Sequence, residues 1–435
     1  MSPTSGLLRA LRRRDLAGML INAMVGAGLL AAPARVFGLV GDWGFLVLAA
    51  AGAIIAPLVL CFADLGSRFQ GTGGPYLYAR ATLPGWVAFS VGWLIWASQG
   101  LAVATLCNLL IDYLSGFAPW VSQEGPRAVI IVILGLGFTA IVLAGIGPST
   151  RVGNVLAGIK VAFVVGFALA AAAFIRPENL AVASPPPAPL DFAQALLVYL
   201  FAYTGFGRAS ILAGEARDPQ RDVPIALIAS VAGVTLLYAA VLAACQGVLG
   251  DPSTTDRPFA VVGGQLFGAP GQALVTAGAL VVILGTLLNI VISMPRLILA
   301  LAEHGQLPAR LGAVHPRWRT PHWAILLSSV VAFGAALNSD LLGSLTISTA
   351  ARVSAYILCC VALWRLAGRA DAPAPLFNLP ARRSIAAITA MIFFAVLLFG
   401  ASREFLPLAG VLAAGLVLLW VNRRAALAPG PQSRS

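Results

Sequence analysis

The sequence predicts an all-α polytopic membrane protein of twelve transmembrane helices, and three observations carry that prediction. Of 435 residues, 59% are hydrophobic and only 10% are charged, whereas a soluble domain carries about 25% charged residues. The apolar residues gather into runs too many and too long for a soluble core. The arginines fall between those runs with the asymmetry of the positive-inside rule.

In chain order, residues 1–15 form a basic N-terminal segment. A full-length span follows with no small-residue cleavage site, so no removable signal peptide is read. The twelve apolar segments run at about 16–39, 43–63, 85–115, 127–147, 152–175, 192–214, 224–248, 265–300, 322–338, 341–366, 384–400 and 404–421. A proline-rich stretch, Ser184 to Pro189, reads as a short rigid external connector. Residues 422–435 form a polar tail.

With the N-terminus placed in the cytoplasm, nineteen arginines lie inside, among them Arg9, Arg12, Arg13, Arg14, Arg423, Arg424 and Arg434. Five lie outside: Arg35, Arg127, Arg176, Arg257 and Arg403. The asymmetry puts both termini inside and requires an even number of spans. It also accounts for the net charge of +12 without a nucleic-acid partner. The partners expected are the bilayer and a small molecule.

The four remaining cations, Lys160, Arg208, Arg296 and Arg352, fall within spans. Each costs about 2.5–3.5 kcal/mol at the bilayer centre on insertion scales, so each faces protein or water or snorkels. Arg296, close to the cytoplasmic end of its span, reads as snorkelling. The five cysteines lie in apolar segments without a CxxC pair and read as packing residues. His304, His315 and His322 share one hydrophilic loop with no helical ligand spacing, so no metal is expected.

Val25-Gly26-Ala27-Gly28 interrupts the first span. Glycine weakens a helix by about 1 kcal/mol relative to alanine, and in lipid a weak point survives only where freed backbone groups face protein, water or ligand. The sixth span carries a matching pair, Gly205 and Gly207. Either pair alone would serve close helix packing. Together, at the head of two successive five-span sets, they point to a transporter site at an inverted repeat. The repeats are 16–175 and 192–366, with 384–421 supplying two further helices.

Four stretches resemble amino acid–polyamine–organocation permeases. Asn22 to Pro33 is similar to their first-helix signature, with its glycine–small–glycine core. Gly73 to Arg80 is similar to the loop after their second span. Ala202 to Phe206, continuing through Gly214-Glu215 to Pro224, is similar to their sixth helix and following loop. Pro295 to Pro308 is similar to the loop after their eighth helix. The resemblance implies a five-plus-five inverted repeat with broken helices 1 and 6 and two peripheral helices. It implies an amino acid or related amine as substrate. It places the substrate carboxylate on the amides of Gly26, Ala27 and Gly28. It places the amine on the carbonyls of Met24, Phe201, Ala202 and Thr204, with Tyr203 or Phe206 closing over the ligand. Many members carry an acid where this chain has Gly207 and a small residue where it has Arg208, which speaks against a carboxylate relay there. Arg208 has two readings: a specificity residue, or a partner of Glu215 seven residues on.

Lys160 is the only lysine in the chain. Desolvation favours a neutral amine, whereas a guanidinium stays charged, so a buried lysine is a candidate for proton coupling. Ser149 to Lys160 also resembles the fifth helix of proton-coupled members, where a lysine amine stands beside the first break in place of a sodium ion.

No GxxxxGK[ST] run is present to hold ATP, and no cofactor is expected beyond the coupling proton. A channel would need a continuous polar lining, and an embedded enzyme would need clustered acids or histidines at membrane depth. The expectation is a secondary transporter for an amino acid in the plasma membrane, with a polyamine or organocation carrier of the same fold as the alternative.

Overall fold

The structure, a computed structural model, describes residues 11–338, 341–401 and 404–427. Arg9, Arg403 and Arg434, with the outer parts of the basic N-terminus and of the tail, lie outside the described residues. Among those residues the chain forms fifteen α-helices and no strand. They are α1 Arg13–Met24, α2 Ala27–Val40, α3 Gly44–Gly66, α4 Gly74–Arg80, α5 Gly85–Leu114, α6 Glu124–Leu143, α7 Ile146–Ala172, α8 Pro189–Tyr203, α9 Arg208–Ile211, α10 Pro219–Leu249, α11 Pro258–Glu303, α12 His322–Asn338, α13 Leu341–Leu366, α14 Arg382–Gly400 and α15 Phe405–Leu427. Ten helical stretches among the described residues are long and apolar enough to cross a membrane, one of them covering Arg13–Gly66. α12 is a shorter apolar helix.

All twelve apolar segments of the sequence lie on helices, with three differences. Gly73 to Arg80 is not a loop. Gly73 takes a left-handed φ of +97° and Pro75 pre-sets the first turn, so α4 starts there. The eighth segment begins earlier than its apolar pattern suggests. α11 starts at Pro258 and kinks at Phe267 and Gly268, where Gly268 has φ +67°. Arg296 does not snorkel. It is buried on α11 and its Nε donates to Glu215 Oε1 at 2.9 Å.

The core is the inner face of the bundle. α5 packs against α11, α12, α13 and α15, α3 against α10, and α2 against α8. α15 is the least enclosed helix. Outward faces present large apolar residues such as Leu136, Leu169, Leu236, Val330 and Leu406, which suits lipid as the surrounding solvent. All five cysteines are buried and unbonded.

One end of the bundle is laced shut. Leu11 N donates to Glu215 O, and Arg217 N donates to Leu11 O, both at 2.9 Å. Arg13 pairs with Asp222 at 2.8 Å, and Arg68 with Asp64 at 2.6 Å. Asn422 at the other terminus reaches Gly305 O in the same region of loops.

Candidate functional site

The two helix breaks meet in the middle of the bundle. α1 ends at Met24, Val25 and Gly26 leave the helical path, and α2 restarts at Ala27 with no side chain capping its first turn. α8 ends at Tyr203, and Thr204–Gly207 tightens into a 3-10 turn before α9. A Cβ on Gly28 would overlap the Cα and Cβ of Ala202. A Cβ on Gly205 would stand 2.6 Å from the Ala23 carbonyl carbon. The glycines therefore do both things weighed from sequence: they interrupt the helices, and they let the interruptions touch.

A broken helix leaves its last carbonyls without intrahelical partners, and side chains donate to several carbonyls around both breaks here. Before the end of α1, Asn289 Nδ2 donates to the interior carbonyl Met19 O at 2.9 Å. Arg208 Nη1 donates to Ala23 O at 3.3 Å, and Thr286 Oγ1 lies 3.1 Å from Val25 O. Tyr238 OH lies 2.6 Å from Met24 O and 2.9 Å from Ala202 O, so one hydroxyl bridges both breaks. At the sixth-span break, Thr204 Oγ1 donates to Phe201 O at 2.6 Å. Tyr356 OH and Arg352 Nη1 donate to Thr204 O at 3.1 and 3.3 Å.

Lys160, on α7, is wholly buried. Its Nζ donates to Asn22 Oδ1 and Thr286 Oγ1 at 2.6 Å each and to Asn22 O at 2.9 Å. An ammonium has three N–H donors, and all three are used. Its depth and its partners leave no path to a cytoplasmic interface, so snorkelling does not describe it. Thr286 links the lysine to the break: the same hydroxyl that accepts from Nζ reaches the Val25 carbonyl.

Between the breaks is a small cavity of about 20 Å³, lined by Ala23, Gly28, Ala102, Leu106, Phe201, Ala202, Thr204, Arg208, Thr286, Ile290 and Arg352. Its size suits water rather than an amino acid, so the bundle is shut around it. Of the residues expected to contact substrate, Gly28, Phe201, Ala202 and Thr204 line the cavity. Gly26 and Ala27 adjoin it in sequence, and the Met24 carbonyl is engaged by Tyr238. Tyr203 and Phe206 stand elsewhere. The Tyr203 hydroxyl donates to Thr235 Oγ1 at 2.9 Å, and its ring lies against Tyr238. The Phe206 ring is wedged between Phe62 and Tyr356.

Arg208 does not pair with Glu215, which is taken by Arg296. It turns instead to Ala23 O and, at 3.5 Å, to Asn289 Oδ1. Tyr238, Thr286, Asn289, Asn22 and Tyr356 were not singled out from sequence. Each is a polar residue within an apolar span, and nothing in its local pattern says which helix end it serves.

A family model described as amino acid permease matches residues 11–420 of the chain. The chain is 28% identical over 363 residues to a methylthioribose transporter of Bacillus subtilis (strain 168), covering 77% of this chain and 76% of that protein. It is 28% identical over 350 residues to a branched-chain amino acid permease of the same organism, covering 74% of each. It is 27% identical over 344 residues to a serine/threonine exchanger, also from that organism, covering 76% of this chain and 77% of the exchanger. A match over nearly the whole chain, together with an all-helical apolar bundle whose first and sixth spans are broken, shows that this is a membrane transporter belonging to the amino acid permease family of the amino acid–polyamine–organocation superfamily.

Proposed function

We propose that the chain is a secondary active transporter that moves an amino acid across the plasma membrane by alternating access, and is not an enzyme. The observation that carries this reading is the meeting of two helix breaks around a small cavity at the centre of the bundle. In this reading residues 16–175 and 192–366 are two five-helix repeats, 384–421 is peripheral, and both termini are cytoplasmic. The substrate carboxylate rests on the first turn of α2, at Gly26, Ala27 and Gly28, where unpaired N–H groups and the helix dipole favour an anion. The amine faces the break carbonyls of Met24, Phe201, Ala202 and Thr204. Tyr203 and Phe206 back the sixth-span break rather than cover the ligand.

Lys160 is the coupling residue in this proposal. Protonated, it ties Asn22 on α1 to Thr286 on α11 and so holds one arrangement of the breaks. Deprotonated, it gives up donors and releases them. The similarity to a branched-chain amino acid permease and a serine/threonine exchanger supports an amino acid substrate. No carboxylate lines the cavity, which disfavours a polyamine or organocation.

The test is a thermal-shift screen of the purified protein against the twenty amino acids and common amines, followed by uptake in proteoliposomes. A ligand at 100 times its Kd adds about 2.7 kcal/mol of stability. If no amino acid either stabilises the protein or is taken up, the proposal fails.

A further inference from the structure

The cavity between the breaks carries two guanidinium groups and no carboxylate. Arg208 and Arg352 are 4% and 3% exposed, and arginine stays charged in proteins. Among the described residues neither forms an ion pair. Each uses part of its fork to grip a helix break. Arg208 Nη1 holds the Ala23 carbonyl of the first break. Arg352 Nη1 holds the Thr204 carbonyl of the second, and its Nε donates to Ser98 Oγ at 3.0 Å. Each also keeps one buried nitrogen without a partner: Arg208 Nε and Arg352 Nη2. Buried charges are normally paired, because an uncompensated one is costly. Here two buried cations with spare donors line the same small cavity.

We infer that the substrate carries a carboxylate beyond the one held at α2, and that this second carboxylate is received between Arg208 and Arg352. The inference rests on the proposed function above and names its substrate class: a dicarboxylic amino acid. A bound carboxylate would give both spare nitrogens charge-assisted hydrogen bonds and neutralise the cavity. Because the same arginines hold the break carbonyls, it would also link α9 and α13 to both breaks. The break carbonyls that would receive an amine already accept donors from Tyr238, Thr204, Tyr356 and Arg352. Each of these carbonyls has two lone pairs, so an amine would share them with the donors already present, whereas Arg208 Nε and Arg352 Nη2 have no partner at all.

The experiment measures binding and proteoliposome uptake of L-glutamate and L-aspartate against L-glutamine and L-asparagine. Glutarate and succinate, which lack the amine, form a third arm. The acids should bind at least about tenfold tighter than their amides, as expected for hydrogen bonds to charged groups. Arg208→Gln and Arg352→Gln should bring that ratio close to one, and Arg352→Lys should keep an acid preference. The wild-type ranking decides even where a variant fails to fold. If a neutral amino acid outranks both acids, the inference is overturned while amino acid transport stands. If glutarate or succinate matches glutamate, the second carboxylate is supported and the amino acid reading falls. If none of the six is bound and no other amino acid is either, both fall.

Discussion

Tyr238→Phe isolates the contact that joins the two breaks. The hydroxyl has one proton for two carbonyls, Met24 O and Ala202 O, and both carbonyls sit in the last turn of a helix with no helical partner. Phenylalanine keeps the ring and its packing against Tyr203, 5.2 Å between centroids, so no cavity opens. A hydrogen bond inside a membrane protein is worth about 0.6 kcal/mol on average and at most about 1.7. A buried carbonyl left bare adds to the loss. The expected cost is about 1–2 kcal/mol, a factor of about 5–30 in the folded-to-unfolded ratio. The control is Tyr199→Phe, because the Tyr199 hydroxyl is buried with no partner and its removal should cost nothing or stabilise. Equilibrium unfolding in mixed micelles, followed by tryptophan fluorescence, measures both. If Tyr238→Phe is as stable as the parent, or Tyr199→Phe loses as much, the bridging role is refuted.

Other expectations follow from the same geometry. Lys160→Met should abolish stimulation of uptake by an acidic exterior while ligand-induced thermal stabilisation persists; full stimulation in that variant would remove Lys160 from coupling. Glu215→Gln strips the buried Arg296 of its charge partner and should cost about 3–5 kcal/mol, read by the same unfolding assay, whereas loss below 1 kcal/mol would mean that the pair is water-screened. Gly205→Ala forces a methyl to 2.6 Å from backbone at Ala23 and should sharply lower folded yield. Gly158→Ala, on an open face of α7, should leave that yield unchanged in size-exclusion profiles.

The helices and their order were legible because span-length apolar runs and loop arginines are properties of composition along the chain. The breaks were legible because two glycine pairs stand at corresponding positions five spans apart, although either pair alone would have served helix packing. Lys160 was legible by contrast, as one lysine among arginines. What stayed hidden was mutual. The partners of the break carbonyls come from α7, α9, α10, α11 and α13, up to 264 residues away in the case of Thr286 and Asn22. Arg296 was misread because its depth was judged along one span, while its partner Glu215 lies on another segment. Sequence gives Tyr203 and Phe206 their address but not their direction, and here their rings pack against Tyr238 and between Phe62 and Tyr356. Gly73 to Arg80 read as a loop because one helical turn or two is too short to show a period.

The close approach of Gly28 to Ala202 and of Gly205 to Ala23 has a consequence for how this protein can change over generations. Each interruption is seated on the backbone of the other, so neither glycine can gain a side chain without moving the other break. A methyl gained at 28 or 205 has to be met by retreat of the facing main chain at Ala202 or Ala23. Specificity can therefore drift through Arg208, Arg352 and the cavity residues outside this contact, such as Ala102, Leu106 and Ile290. The two glycines themselves are confined to the smallest residue, so the crossing point of the two broken spans has little freedom to diverge.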